Sequence, residues 1–462
     1  MKKLLKKFLG ETSLVILTWH RLKAFVAAVL YRFPARSLTV IGITGTDGKT
    51  TTVAMTAHIL TAVGKKTGAL STAFFQVGND IRWNPTQKTS PSPFIVQKFL
   101  RELVRAGCTH AVIECSSHGL LQGRMNWTWP MVGAITNIAE EHLDYHKTMD
   151  AYIDAKALLF KMLRKKYGVK VLNADDRTYT KYLDIKTPWT IHCSSRRDFT
   201  QGASQSQCGL WMTDQQAVST EISGTLRGNI NDEACRVTVP MAGLYNLQNA
   251  LTAIACVHAV NISLQDATDA LRTFTGVSGR MERIDIGQDF SVFIDFTVTP
   301  QAYEATLKTL RASMQSDRRL LVLTGSCGDR MREKRPIVGR ICAENADVIV
   351  VTNEDPYTEN PETIIDDVLS GMPTSLQIYR GQEAVPRGQH SLRKACVRIS
   401  DRREAIRFIL REATEGDVVL FCGKGADITM MTAFGQIPWV EREIVTEELR
   451  SLPSVQSTGV QP

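Results

Sequence analysis

Apolar stretches along the chain come in two sizes that alternate. Short runs at 39–44, 110–115, 132–136 and 169–173 read as buried strands, bounded by polar or glycine-containing segments. Longer stretches at 49–63, 93–106, 149–165 and 246–260 carry helical spacing. Strands alternating with helices predict an α/β domain with a mainly parallel sheet over 39–277. A Ser/Gln/Gly-rich tract at 194–206 reads as a surface loop inside a more β-like portion that runs to Pro240. A second alternating set follows, with strands at 291–296, 319–324, 347–352 and 417–422 and helices at 300–315, 336–345, 361–370 and 402–413. It predicts a second, Rossmann-like α/β domain over 278–450. The segment 451–462, made of Ser, Gln, Gly, Pro and few apolar residues, is expected to be disordered.

Residues 1–38 follow a different pattern. Met1–Leu9 is a basic amphipathic start, and the apolar residues after it are broken by His20, Arg21 and Lys23. The uncharged runs Thr12–Trp19 and Ala24–Tyr31 fall short of the roughly 20 apolar residues a spanning helix needs. A cleaved signal peptide is open in principle. The favoured reading is a short helical segment that packs on the body or makes peripheral contact with a membrane through residues 1–36.

The first strand leads into the most informative chemistry, Val40–Val53, VIGITGTDGKTTTV. Gly42, Gly45 and Gly48 open a turn between a strand and a helix that begins Lys49-Thr50-Thr51. Glycines let backbone N–H groups converge on phosphate oxygens, and the helix N-terminus adds positive potential. The lysine can reach the β/γ-phosphates and the Thr50 hydroxyl can ligate Mg²⁺. The strict G-x-x-x-x-G-K-[ST] spacing is not met, because Ile43 stands five before Gly48. Glu114 closes the second strand, where an open parallel sheet places its ligands, and is a candidate Mg²⁺ ligand or a turn cap. In Thr136–His146, His142, His146, Glu140, Glu141 and Asp144 could hold a metal or be ordinary surface residues.

Composition changes this picture little. The formal charge of +8 from 55 basic and 47 acidic side chains suits anionic substrates without requiring nucleic acid. Ten cysteines are scattered singly with no C-x-x-C pair. Reduced thiols in a cytoplasmic protein are expected, with neither zinc site nor disulfide framework.

Taken together, the motifs resemble those of the Mur ligases, the ATP-dependent amino-acid ligases of peptidoglycan synthesis, in the tripeptide synthetase branch. The resemblance rests on Gly42–Thr52, Glu114–Arg124, Thr136–His146 with Lys156, Gly243–Asn249, Gly279–Glu282, Asp295–Pro300, Gly328–Arg330 with Lys334–Pro336, Asn353–Pro361, Asp401–Ala405 and Gly423–Gly425, in family order. It implies a carboxylate–amine ligase that forms an acyl phosphate with ATP and Mg²⁺. Under it, Gly45, Thr46, Asp47, Gly48, Lys49, Thr50 and Thr51 hold phosphates. Asn246 and Asn249 lie on the adenine side, and Arg280 and Asp295 reach the nucleotide from the second domain upon closure about a hinge near 276–279. Thr50, Glu114, His142 and Lys156 hold metal, with Lys156 suspected to be carbamylated; Lys49, Lys156 and Arg280 are catalytic. Thr89, Ser90, Ser116, Gln122 and Arg124 face a UDP-muramoyl-dipeptide acceptor. Glu354, Asp355, Tyr357, Gly423 and Asp427 face the amino acid. A monomer without nucleic-acid partner is expected, cytoplasmic or at the inner membrane face.

Three departures from the family pattern matter. Only 38 residues precede Thr39, where the family has a uridine-binding domain. Val298 replaces a histidine in Asp295–Pro300. The selector Asp-Asn-Pro-Arg is Glu354-Asp355-Pro356-Tyr357, which disfavours meso-diaminopimelate and favours lysine or another diamine. Two further readings stay open: a related ligase with a polyglutamate-like or lipid-carried acceptor, and a nonenzymatic nucleotide-binding scaffold.

Overall fold

The computed structural model describes residues 13–86, 88–196, 207–218, 221–229, 234–381 and 394–452. The basic start Met1–Leu9, most of the polar tract (197–206) and the tail from 453 lie outside the described residues. The chain divides into two compact units, Met1–Thr275 and Gly276–Pro462.

The first unit is built on β1 (Thr39–Thr44), β2 (Thr67–Leu70), β3 (Phe74–Val77), β4 (Asp80–Trp83), β5 (His110–Glu114), β6 (Val132–Ile135), β7 (Val169–Asn173), β8 (Trp189–Ser194), β9 (Gln207–Ala217), β10 (Ile222–Gly228) and β11 (Ala234–Val239). They form one sheet in the order β11-β10-β9-β8-β7-β6-β1-β5-β2-β3-β4. The strands from β9 through to β2 pair in parallel, and antiparallel meanders extend both edges. The β-like portion before Pro240 is thus a run of long strands that extends the sheet, β9 in parallel with β8 and then β10 and β11 as an antiparallel meander. Because β1 has β5 on one side and β6 on the other, with Ile43 opposite Glu114 and Thr44 opposite Ile135, the loops leaving all three strands emerge together. An open parallel sheet binds ligands at that crevice.

Both faces are covered, so β1 and β5 are apolar between their end residues and almost wholly buried. The helix Lys49–Ala62 buries residues on every side, Thr50 through Ala57 without a break. Two helices expected near 93–106 and 149–165 are Pro93–Arg105 and Met149–Lys161; the second ends early, and its C-cap Met162 is followed by an irregular stretch before β7.

The second unit contains β12 (Glu282–Ile284), β13 (Ser291–Asp295), β14 (Leu320–Thr324), β15 (Val348–Val351), β16 (Gln377–Arg380), β17 (Ala395–Arg398) and β18 (Val418–Cys422). Their order is β12-β13-β18-β14-β15-β17-β16, parallel except for β12. The four strands expected from the sequence are the four central ones. They are continuous apolar runs, whereas the edge strand β16 is largely exposed and carries no such signal. A core of Val292, Ile294, Leu321, Leu323, Val419 and Phe421 packs against Ala405, Ile406 and Ile409 of the helix Arg402–Glu412. Each such side chain contributes about 1.5–3 kcal/mol on burial.

A buried ion pair ties that helix to the last one. Arg402 donates to Glu441 from both Nε and Nη2, and also to the carbonyls of Asn353 (3.1 Å) and Cys422 (2.8 Å); both charged side chains are at most 1% exposed. Trp439 Nε1 adds a third donor to Glu441 at 2.7 Å. Removing one partner of such a pair strands the other charge in the core. Arg402→Met is expected to cost about 3–5 kcal/mol in chemical denaturation. Arg402→Met with Glu441→Leu should recover a large part of that loss.

Candidate active site

In the first unit the site grows from the loop between β1 and the helix Lys49–Ala62. Gly45 (φ +145°) and Gly48 (φ +77°) occupy backbone regions that L side chains rarely adopt. A Cβ at Gly45 would lie 1.8 Å from Thr136 Oγ1, and one at Gly48 would lie 2.2 Å from Asn249 Oδ1. The loop is pinned from the strand beside it: Asp47 N donates to Asn137 Oδ1 (2.9 Å), and Thr136 Oγ1 donates to the Asp47 carbonyl (2.6 Å). Thr46 Oγ1 lies 3.0 Å from Tyr152 Oη and accepts from Ala139 N at 2.9 Å. The helix that follows starts at Lys49 with Gly48 as N-cap and no capping side chain, so its first N–H groups and its dipole face the loop. The cradle is formed, and Lys49 Nζ closes on the Thr46 carbonyl at 2.6 Å.

Thr50 and Glu114 face each other across the crevice, the hydroxyl donating to Oε2 at 3.0 Å. Glu114 is 1% exposed and is fixed by a residue that sequence reasoning missed. Thr72 donates to it twice, from its backbone N to Oε2 (2.7 Å) and from its Oγ1 to Oε1 (2.9 Å). Thr72 follows β2, a four-residue strand with no strong apolar signal, and only the pairing of β2 with β5 brings it to Glu114.

Lys156 reaches the same loop from the helix Met149–Lys161. Its Nζ donates to the Gly45 carbonyl at 2.5 Å and sits 4.4 Å from the centre of the Tyr152 ring. Burial and then the neighbouring Lys49 push its pKa well below the ordinary lysine value. His142 stands in an aromatic cluster, 4.7 Å from His118 and 6.5 Å from Tyr152 between ring centres, with Glu141 Oε1 3.6 Å from its Nε2. Among the described residues no group of three or more His, Cys, Asp or Glu side chains is arranged to hold a metal. The donor set nevertheless fits Mg²⁺, which is commonly held by one or two carboxylates plus phosphate oxygens and waters.

The residues expected to face the acceptor form one connected chain. Ser90 Oγ accepts from Ser116 N (2.9 Å) and donates to the Glu114 carbonyl (3.3 Å), and Thr89 Oγ1 lies 2.9 Å from Thr72 Oγ1. Arg124 donates to the Ser90 carbonyl (2.6 Å) and to Gln122 Oε1 (2.7 and 3.0 Å), while Gln122 Nε2 donates to Tyr145 Oη (2.9 Å). Asn249 touches Gly48 and donates to Asn246 Oδ1 (2.8 Å), so both asparagines support the phosphate loop.

The remaining candidates belong to the second unit. Asp295, at the end of β13, accepts from Met281 N at 2.7 Å and from Thr297 Oγ1. The Arg280 guanidinium lies 4.4 Å from the centre of the Phe296 ring. Asp355 is engaged internally: Lys424 Nζ, itself 1% exposed at the side chain, donates to it at 2.9 and 3.0 Å, and Met431 N donates at 2.7 Å. Glu354 is buried, accepts from Cys327 Sγ (3.0 Å) and lies where a Cβ on Gly423 would stand. Asp427 is 3.5 Å from Lys424, yet burial holds its carboxyl up at about 6. Tyr357 adopts φ +51° with the Arg330 guanidinium 5.8 Å from its ring centre.

A glycine-rich strand–helix loop at the crevice of a parallel sheet, with a lysine, a threonine hydroxyl and a carboxylate at the end of the adjacent strand, defines a nucleotide phosphate-binding enzyme of the P-loop type. Comparison with known proteins narrows the class. Residues 43–257 match the Mur ligase middle domain and residues 279–425 the Mur ligase, glutamate ligase domain. A UDP-N-acetylmuramoyl-L-alanyl-D-glutamate–2,6-diaminopimelate ligase of Trichormus variabilis is 36% identical over 426 residues, 91% of this chain and 79% of the relative. A UDP-N-acetylmuramyl-tripeptide synthetase of a Roseiflexus species is 33% identical over 433 residues, covering 90% and 79%. A solved structure of a UDP-N-acetylmuramoyl-L-alanyl-D-glutamate–2,6-diaminopimelate ligase superposes with a TM-score of 0.61 at 26% identity, covering 92% of this chain and 79% of that one. The chain belongs to the Mur ligase family, whose members are ATP-dependent peptide ligases using Mg²⁺.

Thr72→Val keeps the volume of the side chain and removes its hydroxyl bond to Glu114 and to Thr89. The Mg²⁺ concentration for half-maximal ATP-dependent turnover is expected to rise about tenfold, read from a Mg²⁺ titration, with the melting temperature nearly unchanged.

Proposed function

We propose that the protein adds an amino acid to UDP-N-acetylmuramoyl-L-Ala-D-Glu in peptidoglycan synthesis, activating the acceptor carboxylate as an acyl phosphate. The observation that carries this reading is the convergence of Lys49, Thr50, Glu114 and Lys156 on one loop in a chain of the Mur ligase family. Charge neutralisation on a transferring phosphoryl group needs cations and N–H groups in place more than it needs a nucleophile. Lys49 and the helix start supply them from the first unit, and Arg280 is the candidate from the second. When bound, Mg²⁺ would be held by Thr50 and Glu114 and would neutralise phosphate charge. Lys156 fits carbamylation, since an amine whose protonated form is disfavoured by burial is the form that adds CO₂. Ser90, Ser116, Gln122 and Arg124, joined to Glu114 through Ser90, are positioned to orient the acceptor.

The donor we favour is a diamino acid, L-lysine in the first place, because Tyr357 stands where an arginine would grip a second carboxylate. Lys424 bonds Asp355 at 2.9 and 3.0 Å and Asp427 only at 3.5 Å, so Asp427 is the less tightly engaged acid for an incoming ammonium. A second reading, 2,6-diaminopimelate, is favoured by the relatives' names and by Arg330, whose guanidinium over Tyr357 brings a cation beside that position. The reading includes a monomer working at the inner membrane face, touching it through residues 1–36.

Phosphate release from ATP with the UDP-muramoyl-dipeptide, Mg²⁺ and bicarbonate, screened over lysine, diaminopimelate and ornithine, tests this directly. Release is expected to require the dipeptide and to be greatest with lysine. Release with diaminopimelate alone would select the second donor, and no release with any amino acid would point to a different, polyglutamate-like or lipid-carried acceptor. For Lys156, replacement by Ala is expected to lower turnover at least about a hundredfold. Added short carboxylic acids should restore part of it, and Lys156→Arg should remain inactive with or without them.

A further inference from the structure

The helix Leu14–Leu30 has two unlike faces. Ala24, Ala27 and Ala28 are fully buried, letting it lie close against the first unit, where it contacts the helix Pro93–Arg105. Arg101 clamps its C-terminal end, donating to the carbonyl of Tyr31 at 2.6 and 2.9 Å and to that of Arg32 at 3.0 Å. On the opposite side Val15, Trp19, Leu22, Val26, Val29 and Leu30 are exposed, from 48% for Val26 to 63% for Leu30. Their spacing of three and four residues makes one apolar stripe along the helix. Single exposed apolar residues are ordinary on a protein surface, but a continuous stripe of them marks a docking face.

Charge says what covers it. Residues 1–36 contain eight Lys and Arg, including Lys2, Lys3, Lys6 and Lys7, against the single acid Glu11. Seven of the chain's eight net positive charges therefore sit in this segment. A second copy docking through the same stripe would bring like charge to like charge. A bilayer with anionic lipids offers an apolar layer and a negative plane together, the combination that basic amphipathic segments recognise. His20, Arg21 and Lys23 interrupt the apolar run of the helix, and no helix among the described residues is long and apolar enough to cross a membrane. The Lys23 ammonium rests 5.0 Å from the centre of the Trp19 ring, a pairing suited to the headgroup level. Just past the helix a cavity of about 260 Å³ is lined by Arg36, Trp129 and Arg164. Arg164 is held there by the carbonyls of Leu38 (2.9 Å) and Trp129 (3.2 Å), and the exposed Arg36 lies over the Phe33 and Trp129 rings. Two guanidinium groups at one opening match a lipid phosphate.

We infer that the helix Leu14–Leu30 lies in the plane of an anionic phospholipid bilayer, its apolar stripe in the acyl boundary, with a headgroup phosphate at Arg36 and Arg164. This rests on the peripheral contact proposed above and names its surface and its residues. Flotation of the full-length protein with phosphatidylcholine vesicles, with and without phosphatidylglycerol, tests it. Binding is expected only when phosphatidylglycerol is present, to fall with added salt, and to be lost in Leu22→Glu with Val26→Glu. Neutralising Lys2, Lys3, Lys6 and Lys7 one at a time to Gln should weaken partitioning roughly fivefold each at low salt. Arg36→Gln should weaken it as well. Both exposed-stripe changes should leave phosphate release in the absence of vesicles unchanged, which separates this inference from the ligase reading, since either result can fail alone. No binding to phosphatidylglycerol vesicles, equal binding to both vesicle types, or a dimer in solution that Leu22→Glu with Val26→Glu dissolves would overturn it.

Discussion

A lysine side chain buried beside a second lysine is the constraint around which much of the first unit's crevice is built. Lys156 is buried, and its Nζ donates to the Gly45 carbonyl and lies against the face of Tyr152. Both of those partners belong to the phosphate loop's own support: Tyr152 lies at Thr46, and Gly45 sits where only a glycine clears Thr136. The loop is therefore stabilised by the same side chain whose charge it strains. Lys49 turning back to the Thr46 carbonyl completes a ring of lysines bonded to loop carbonyls. A polyanion entering the cradle would meet the Lys49 side chain and the first N–H groups of the helix together.

The carboxylate opposite shows why position in the sheet matters as much as residue type. Glu114 takes a hydrogen bond from Thr50 and two from Thr72, which fixes both oxygens before any cation arrives. That fixing is possible because β5 lies between β1 and β2, so the ends of both neighbours point at the same carboxylate. A preset carboxylate loses little rotamer freedom on binding metal.

How much of this was legible follows from range. The Gly42–Thr52 loop, Glu114 at a strand end and the eight central strands could be read because each depends on local pattern: apolar runs for strands buried on both faces, glycines for the turn. Thr72 could not, since nothing near it distinguishes it from any loop threonine, and its role exists only through the pairing of β2 with β5. The strands β2, β3 and β4 were missed for a related reason. They are four residues each, and β4 is exposed throughout, so they carry no continuous apolar run. In the second unit the acids Glu354 and Asp355 were legible as a pair, but not their partners. Lys424 lies far along the chain, and only the fold reveals that it already neutralises Asp355.

That internal pair changes the argument about the amino acid. An acid free to receive a ligand ammonium should lack a permanent cation, and Asp355 has one that is almost wholly buried. Asp427 shares that cation at the longer distance of 3.5 Å, and burial, outweighing the pull of Lys424, holds its carboxyl up at about 6. A cation brought against it would favour the charged form. On the donor reading proposed above, selectivity would turn on what lies around Asp427 and on Tyr357 with Arg330 more than on the acidic pair that the sequence displays most openly.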